Sequence, residues 1–141
     1  MTEIIVRSAN GLRQTIEARG HTIVADEPVD AGGGDAGPTP YELLLGALGA
    51  CIAMTLRMYA ARRGWPLESV EVHLEHDRVH TRDCENCDDP RANAALDRIT
   101  ERIALQGPLN AEQRTRLLEI AERCPVRRTL RQPVIVQIAA Q

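Results

Sequence analysis

Four cysteines are the residues of this chain best suited to covalent or redox chemistry, and two of them stand in distinctive surroundings. Cys51 lies in a long uncharged run, where a cysteine is most often a small buried side chain. Cys124 lies between Arg123 and Pro125, and two further arginines follow, so we expect their positive charge to favour a thiolate. Because no histidine adjoins either cysteine, the sequence does not indicate a hydrolytic cysteine triad.

The other two cysteines form a Cys-x-x-Cys pattern, Cys84 and Cys87, which His76 and His80 precede. Two cysteines and two histidines can complete a tetrahedral zinc site. The pair could equally be redox-active, or it could consist of ordinary exposed loop residues. Acidic residues around it oppose thiolate formation, an objection that bound zinc would reverse. Zinc at the Cys84–Cys87 loop is therefore one of three interpretations.

The elements that position these cysteines are those expected of one domain spanning residues 1–141. With 43% hydrophobic and 26% charged residues, the chain can bury its own core. A net charge of −3 and an aromatic content of 2% argue against a nucleic-acid partner. We expect no signal peptide and no run reaching the roughly 18 apolar residues of a membrane span. Four cysteines in such a chain fit a cytoplasmic location.

The first forty residues predict strands and then a loop. Short β-prone runs at residues 4–7 and 14–17 flank Asn10-Gly11, which is a hairpin signal, and a third run covers residues 21–25. Residues 30–40 contain four glycines and two prolines, so we interpret them as a loop.

A long helix is predicted from Pro40 to about Arg63. Thr39 supplies the hydroxyl of an N-cap and Glu42 follows three residues later, the spacing of a capping box. Residues 43–56 carry no charge on any face, so we expect the helix to be buried within the molecule or between two copies. Small residues in this run would let the same helix of a second subunit approach closely, which predicts an obligate homodimer.

The second half of the chain predicts strands and helices again. Alternating residues indicate a strand over 70–80, whereas the apolar residues of 99–105 fit a helix or a strand. A second helix opens at Asn110 and is interrupted by Pro125, and residues 134–138 predict a final strand. The order of strands, helix, strands and helix is typical of an α+β fold with antiparallel sheets.

Two motif blocks stand far apart in the chain: Gly37-Pro38-Thr39-Pro40-Tyr41-Glu42-Leu43-Leu44-Leu45 leading to Ala50-Cys51, and Cys124-Pro125 far downstream. Together they resemble the OsmC/Ohr family of osmotically inducible and organic hydroperoxide resistance proteins. The resemblance implies an OsmC-like fold in an intertwined homodimer, with a long central helix from each subunit and two interface active sites. It also implies that Cys51 attacks a peroxide and that Cys124 resolves the sulfenic acid as an intramolecular disulfide.

The resemblance further implies a cation that stabilises the attacking thiolate. In the family this cation is an arginine of the N-terminal strands, held by a glutamate. Arg13 is the first choice for that arginine, with Arg7 and Arg19 as alternatives. Each of these arginines could equally be a solvated strand charge.

Glu42 departs from the pattern of the peroxidase members, in which the glutamate directly follows the proline. Here Tyr41 holds that place and Glu42 comes one residue later. Nine residues at about 100° each place Glu42 roughly 180° from Cys51 on a regular helix. Its capping-box role is therefore a sufficient explanation for a glutamate at this position.

Taken together, the residues and the resemblance predict a cytoplasmic thiol peroxidase that needs no cofactor. An apolar helix around Cys51 would suit an organic hydroperoxide, and a small dithiol or a dihydrolipoyl protein would return the electrons. The main alternative is a non-catalytic member that binds an apolar ligand in the same pocket. A third interpretation is a metal or redox sensor that works through the Cys84–Cys87 loop.

Overall fold

The computed structural model describes residues 2–80 and 95–139, without the side chain of His80. Its elements, in chain order, are β1 (Ile5–Ser8), β2 (Gln14–Ala18), β3 (His21–Ala25), a 3₁₀ turn (Val29–Ala31), α1 (Pro40–Arg63), β4 (Ser69–His80), β5 (Ala95–Gln106), α2 (Ala111–Ala121) and α3 (Pro125–Leu130). The strands pair antiparallel, which confirms the α+β class. Two compact units, Met1–Gly46 and Ala47–Gln141, make up the chain. A single domain therefore stays a prediction.

The first unit contains a three-stranded antiparallel sheet in the order β1-β2-β3, which confirms the three predicted strands. The turn between β2 and β3 consists of Arg19 and Gly20, whose φ angles are 48° and 83°. Ala18 pairs with His21 across this turn. Positive φ at both central residues is typical of a type I′ hairpin, whose twist matches that of the strands it joins.

The glycine-rich loop of the first unit is organised by one buried carboxylate, that of Asp26, which is 3% exposed. Its oxygens accept hydrogen bonds of 2.9–3.1 Å from the backbone N–H groups of Glu27, Gly34 and Ala36. These bonds stabilise the charged form, so they hold the pKa of Asp26 below its ordinary value despite burial. The loop thus has a specific polar anchor.

The second unit contains the two-stranded antiparallel sheet of β4 and β5. Val72 pairs with Ile103 and His76 pairs with Ile99. The apolar run that fitted helix or strand equally well is therefore a strand, because β4 provides its hydrogen-bonding partner.

Helix α1 has the predicted bounds, and Gly64 follows it with a φ of 65°, the left-handed conformation that ends many helices. Leu48, Ile52, Leu56 and Ala60 form its buried stripe at four-residue spacing. The other members of this core are Leu67, Leu105, Leu109, Leu117, Ile120, Ala121 and Cys124. Helices α1 and α2 therefore share one hydrophobic core, which also contains Cys124.

The opposite face of α1 is exposed in the single chain, with Met54 at 64% and Met58 at 57% exposure. By length and composition alone, α1 would also qualify as a membrane span, contrary to the expectation that no run would. Core helices of soluble proteins pass the same test, so composition does not distinguish these settings.

The predicted final strand is wrong for the described chain. Residues 134–138 belong to neither sheet, and Val134, Ile135, Val136 and Ile138 are 60–101% exposed. A β-strand requires a hydrogen-bonded neighbour, and β propensity alone does not provide one. The apolar residues that predicted the strand are instead open to solvent.

Candidate active site

Two free cysteines from distant parts of the chain meet in the second unit. Cys51 lies on α1 and is half-buried, whereas Cys124 precedes α3 and is 0% exposed. Cys51 packs against the core cluster that includes Cys124, and the two thiols lie close enough for Cys51 to raise the pKa of Cys124. The fold therefore brings together the two cysteines for which the resemblance implied a shared reaction.

Local backbone bonds fix Cys124 at the junction of α2 and α3. Its N–H donates to the carbonyl of Ala121 at 3.2 Å, and its own carbonyl accepts from the N–H of Arg128 at 3.0 Å. Pro125 occupies the first position of α3, where a missing N–H costs nothing. The sulfur therefore lies at a defined turn and is buried.

The pKa of the Cys124 thiol is raised, chiefly because burial disfavours a thiolate and secondly because of the neighbouring Cys51 thiol. The backbone N–H groups of Arg127 and Val126 act in the opposite direction without reversing the shift. Burial therefore disfavours the Cys124 thiolate, and the net shift is opposite to the one expected from the neighbouring arginines.

Carboxylates explain why the arginines do not act on Cys124 as expected. The guanidinium of Arg127 lies 3.2 Å from a carboxylate oxygen of Glu101 and 3.1 Å from one of Glu122. Glu122 also pairs with Arg131, at 3.3 Å. These acids offset the local positive charge. Glu101 belongs to β5, so no spacing around Cys124 could have revealed it.

Glu42 forms the predicted capping box with Thr39. The N–H of Thr39 donates to Glu42 Oε2 at 2.8 Å, and the N–H of Glu42 donates to Thr39 Oγ1 at 3.3 Å. The carboxylate therefore satisfies a backbone donor at the start of α1. This local role accounts for the residue fully.

Arg13, the first choice for the activating cation, is exposed and lies in the first unit. Within residues 2–80 and 95–139 it forms no ion pair, whereas Arg7 pairs with Glu17 at 2.5 Å. Arg19 lies in the β2–β3 turn. The charge of Arg13 contributes to lowering the pKa of Asp26, and its action on Cys51 stays a prediction.

The proposed zinc site falls largely outside the described residues. Cys84, Cys87 and the side chain of His80 are not described, and His76 Nε2 lies 2.9 Å from Asp97 Oδ1. In the part of the chain that the structure describes, no group of three or more His, Cys, Asp or Glu side chains could hold a metal. Zinc at the loop thus stays a prediction.

Residues 32–139 match the family model described as OsmC-like protein, a span that includes both Cys51 and Cys124. The chain belongs to the OsmC-like protein family. This OsmC-like protein matches no curated protein sequence.

Solved structures agree with this OsmC-like fold. An OsmC-like protein from Mycoplasma pneumoniae superposes with a TM-score of 0.70 at 18% identity, over 93% of this chain and 87% of its own. An organic hydroperoxide resistance protein from Legionella pneumophila gives 0.62 at 20%, over 92% and 89%. The organic hydroperoxide resistance protein OhrB of Bacillus subtilis gives 0.62 at 17%, over 93% and 90%. At these identities the likeness shows the fold.

Proposed function

We propose that this OsmC-like protein is a thiol peroxidase that reduces organic hydroperoxides. The observation that carries the proposal is the proximity of half-buried Cys51 to buried Cys124, both free thiols, in one core cluster. The attacking sulfur must be reached by a substrate, which assigns attack to Cys51 and resolution to Cys124. Two similar folds belong to proteins named for organic hydroperoxide resistance, which supports this substrate class.

The chemistry requires two steps. The Cys51 thiolate attacks the terminal oxygen of the hydroperoxide, the O–O bond breaks, and the alkoxide departs and takes up a proton to give an alcohol. Cys51 is now a sulfenic acid. The Cys124 sulfur then attacks the Cys51 sulfur, so that an S–S bond forms and the hydroxyl departs with the thiol proton as water. A nearby thiol thereby prevents oxidation of Cys51 beyond sulfenic acid.

The surroundings of Cys51 favour an alkyl or aryl hydroperoxide. Cys51 packs against an aliphatic core, which would bind an apolar substituent more readily than hydrogen peroxide. Restoring the two thiols requires two electrons, which a small dithiol or a dihydrolipoyl protein would supply. Arg13 would act as the cation that stabilises the Cys51 thiolate. The cycle uses no bound cofactor, and we place it in the cytoplasm, where thiols stay reduced.

The functional assembly is proposed to be a homodimer. The exposed face of α1 carries Met54 and Met58 in a stripe interrupted by small residues, which suits a second copy of the same helix. Burial of this stripe would complete the apolar surroundings of the helix.

Cysteine variants test the proposed activity in a coupled assay that follows hydroperoxide consumption with a dithiol. Cys51→Ser should abolish turnover, whereas Cys124→Ser should consume about one equivalent per chain and stop as sulfenic acid. The Cys84→Ser/Cys87→Ser double variant is the control and should keep wild-type turnover. Full activity in Cys51→Ser, or none in the wild type, would refute a Cys51 peroxidase.

A further inference from the structure

Arg127 is connected to Cys124 through its backbone and to two other elements through its side chain. It lies in the first turn of α3, three residues after Cys124. Its guanidinium reaches Glu101 on β5 and Glu122 at the end of α2. One residue therefore joins the turn that carries the buried thiol to two neighbouring elements.

The ion pair with Glu101 is well shielded, since the side chains of Arg127 and Glu101 are only 22% and 11% exposed. Such a pair is screened less by solvent than a surface pair, and loss of one partner leaves the other partly desolvated. By contrast, Arg128 on the same helix is exposed. The two adjacent arginines therefore differ in burial: Arg127 forms a shielded ion pair, whereas the side chain of Arg128 lies in solvent.

Helix α3 has limited apolar packing. None of its six residues is fully buried, and Val126 is its one side chain packed against the core cluster. Two clefts, of about 380 and 270 Å³, open beside it, and both are lined by Glu101 and Arg127. Because these clefts leave α3 with few close-packed neighbours, we expect its orientation to depend on its polar contacts.

We propose that the Arg127–Glu101 ion pair positions Cys124 for its reaction with Cys51, so that disulfide formation depends on the pair while attack on the peroxide does not. The proposal rests on the function proposed above. Arg127 and Glu101 are positioning residues, because neither exchanges atoms with the substrate. They control the resolving step, in which the S–S bond forms as the S–O bond of the sulfenic acid breaks, with release of water.

The two steps separate in a single-turnover experiment on reduced protein mixed with cumene hydroperoxide. Peroxide consumption reports attack, and alkylation of remaining thiols followed by mass spectrometry reports the disulfide. Arg127→Ala should consume peroxide at the wild-type rate but form the disulfide about tenfold more slowly or worse. With excess peroxide it should then accumulate sulfinic acid at Cys51. Arg127→Lys should restore part of the rate.

Arg128→Ala is the matched control, because it removes the same charge from the next position of α3. Glu101→Gln serves as the second variant, in case Arg127→Ala folds poorly, and should slow the same step. Equal disulfide rates in Glu101→Gln, Arg128→Ala and the wild type would overturn the proposal. A loss of both steps in equal proportion would also overturn it, because it would indicate a general structural role.

Oxidation by diamide separates this proposal from the proposed function, since it forms a disulfide without any peroxide. If the wild type consumes no hydroperoxide, the peroxidase function fails. Slower diamide oxidation in Arg127→Ala than in Arg128→Ala would still support the positioning role. Equal diamide rates would contradict that role independently.

Discussion

At the scale of single residues, the site is defined by the unequal burial of its two thiols. Cys51 is half-buried while Cys124 is 0% exposed, so only one of them can meet a bulky substrate. Burial also raises the pKa of Cys124, which disfavours its thiolate. The two cysteines are chemically different because their surroundings differ.

Glu42→Gln should keep most of the peroxidase rate. Glutamine also serves at this position of a capping box, and the carboxylate of Glu42 is occupied by the backbone of Thr39. The measurement is kcat/KM for an organic hydroperoxide beside the thermal midpoint. A rate loss of roughly 100-fold, about 2.7 kcal/mol of barrier, in a folded variant would instead assign Glu42 to catalysis.

At the scale of elements, local signals predicted structure well where the deciding contacts are local. The bounds of α1 follow from Thr39, Pro40 and Gly64, which lie at the helix ends themselves. Where a conformation depends on a partner that is distant in the sequence, local signals did not predict it. The conformation of β5 depended on β4, and residues 134–138 have strand composition but no partner strand among the described residues.

The loop held by Asp26 should lose stability in acid. The pKa of Asp26 is lowered in the folded chain, so its contribution is fully present above the unfolded value, about 3.9, and disappears as the pH falls through the lower folded value. Asp26→Asn should therefore reduce the thermal midpoint at pH 7, and the difference from the wild type should shrink below about pH 4.

Asp30→Asn is the control for the Asp26 experiment, because Asp30 is exposed in the same loop region. It should leave the midpoint unchanged at both pH values. A difference between Asp26→Asn and the wild type that stays constant from pH 7 to pH 3 would show that ionisation of Asp26 does not stabilise the loop.

The site, like the fold, was predictable only where its features depend on residues that are neighbours in the sequence. The sequence singled out Cys51 and Cys124 by their surroundings, but their pairing came only from the resemblance to OsmC/Ohr proteins. The charge around Cys124 was misjudged because Glu101 and Glu122 reach Arg127 through tertiary structure. Local composition counts charges, whereas a pKa depends on which of them are neutralised nearby.

At the scale of the whole molecule, the described residues expose apolar side chains in several places, two of which bear on assembly. One is the outer face of α1 with Met54 and Met58, and the other is the segment 134–138. Contiguous apolar patches commonly mark interaction sites in soluble proteins. Both features agree with the proposed homodimer, which would cover at least the α1 face.

Met54→Glu should disrupt that dimer. On a monomer surface this change would alter stability by only about 0.5 kcal/mol, whereas in a helix–helix interface it would bury unpaired charges. Light scattering should report twice the chain mass of 15.6 kDa for the wild type and a smaller mass for the variant. The wild-type thermal midpoint should also rise with protein concentration.

Arg62→Ala provides the control, since Arg62 is exposed in the last turn of α1. It should leave the assembly unchanged. A wild-type protein that is monomeric at micromolar concentration would contradict the dimer.

The difference in burial between Cys51 and Cys124 also determines which sulfur of the disulfide is attacked when a reductant restores the two thiols in the proposed cycle. A reductant can approach only the Cys51 sulfur of the disulfide, so the mixed disulfide forms there and Cys124 is the leaving group. Because the pKa of Cys124 is raised, it is a poor leaving group, and the thiolate that departs is a strong nucleophile held beside the mixed disulfide until it takes up a proton. A monothiol would therefore be expelled again, whereas the second sulfur of a dithiol can cleave the mixed disulfide before the buried thiol returns.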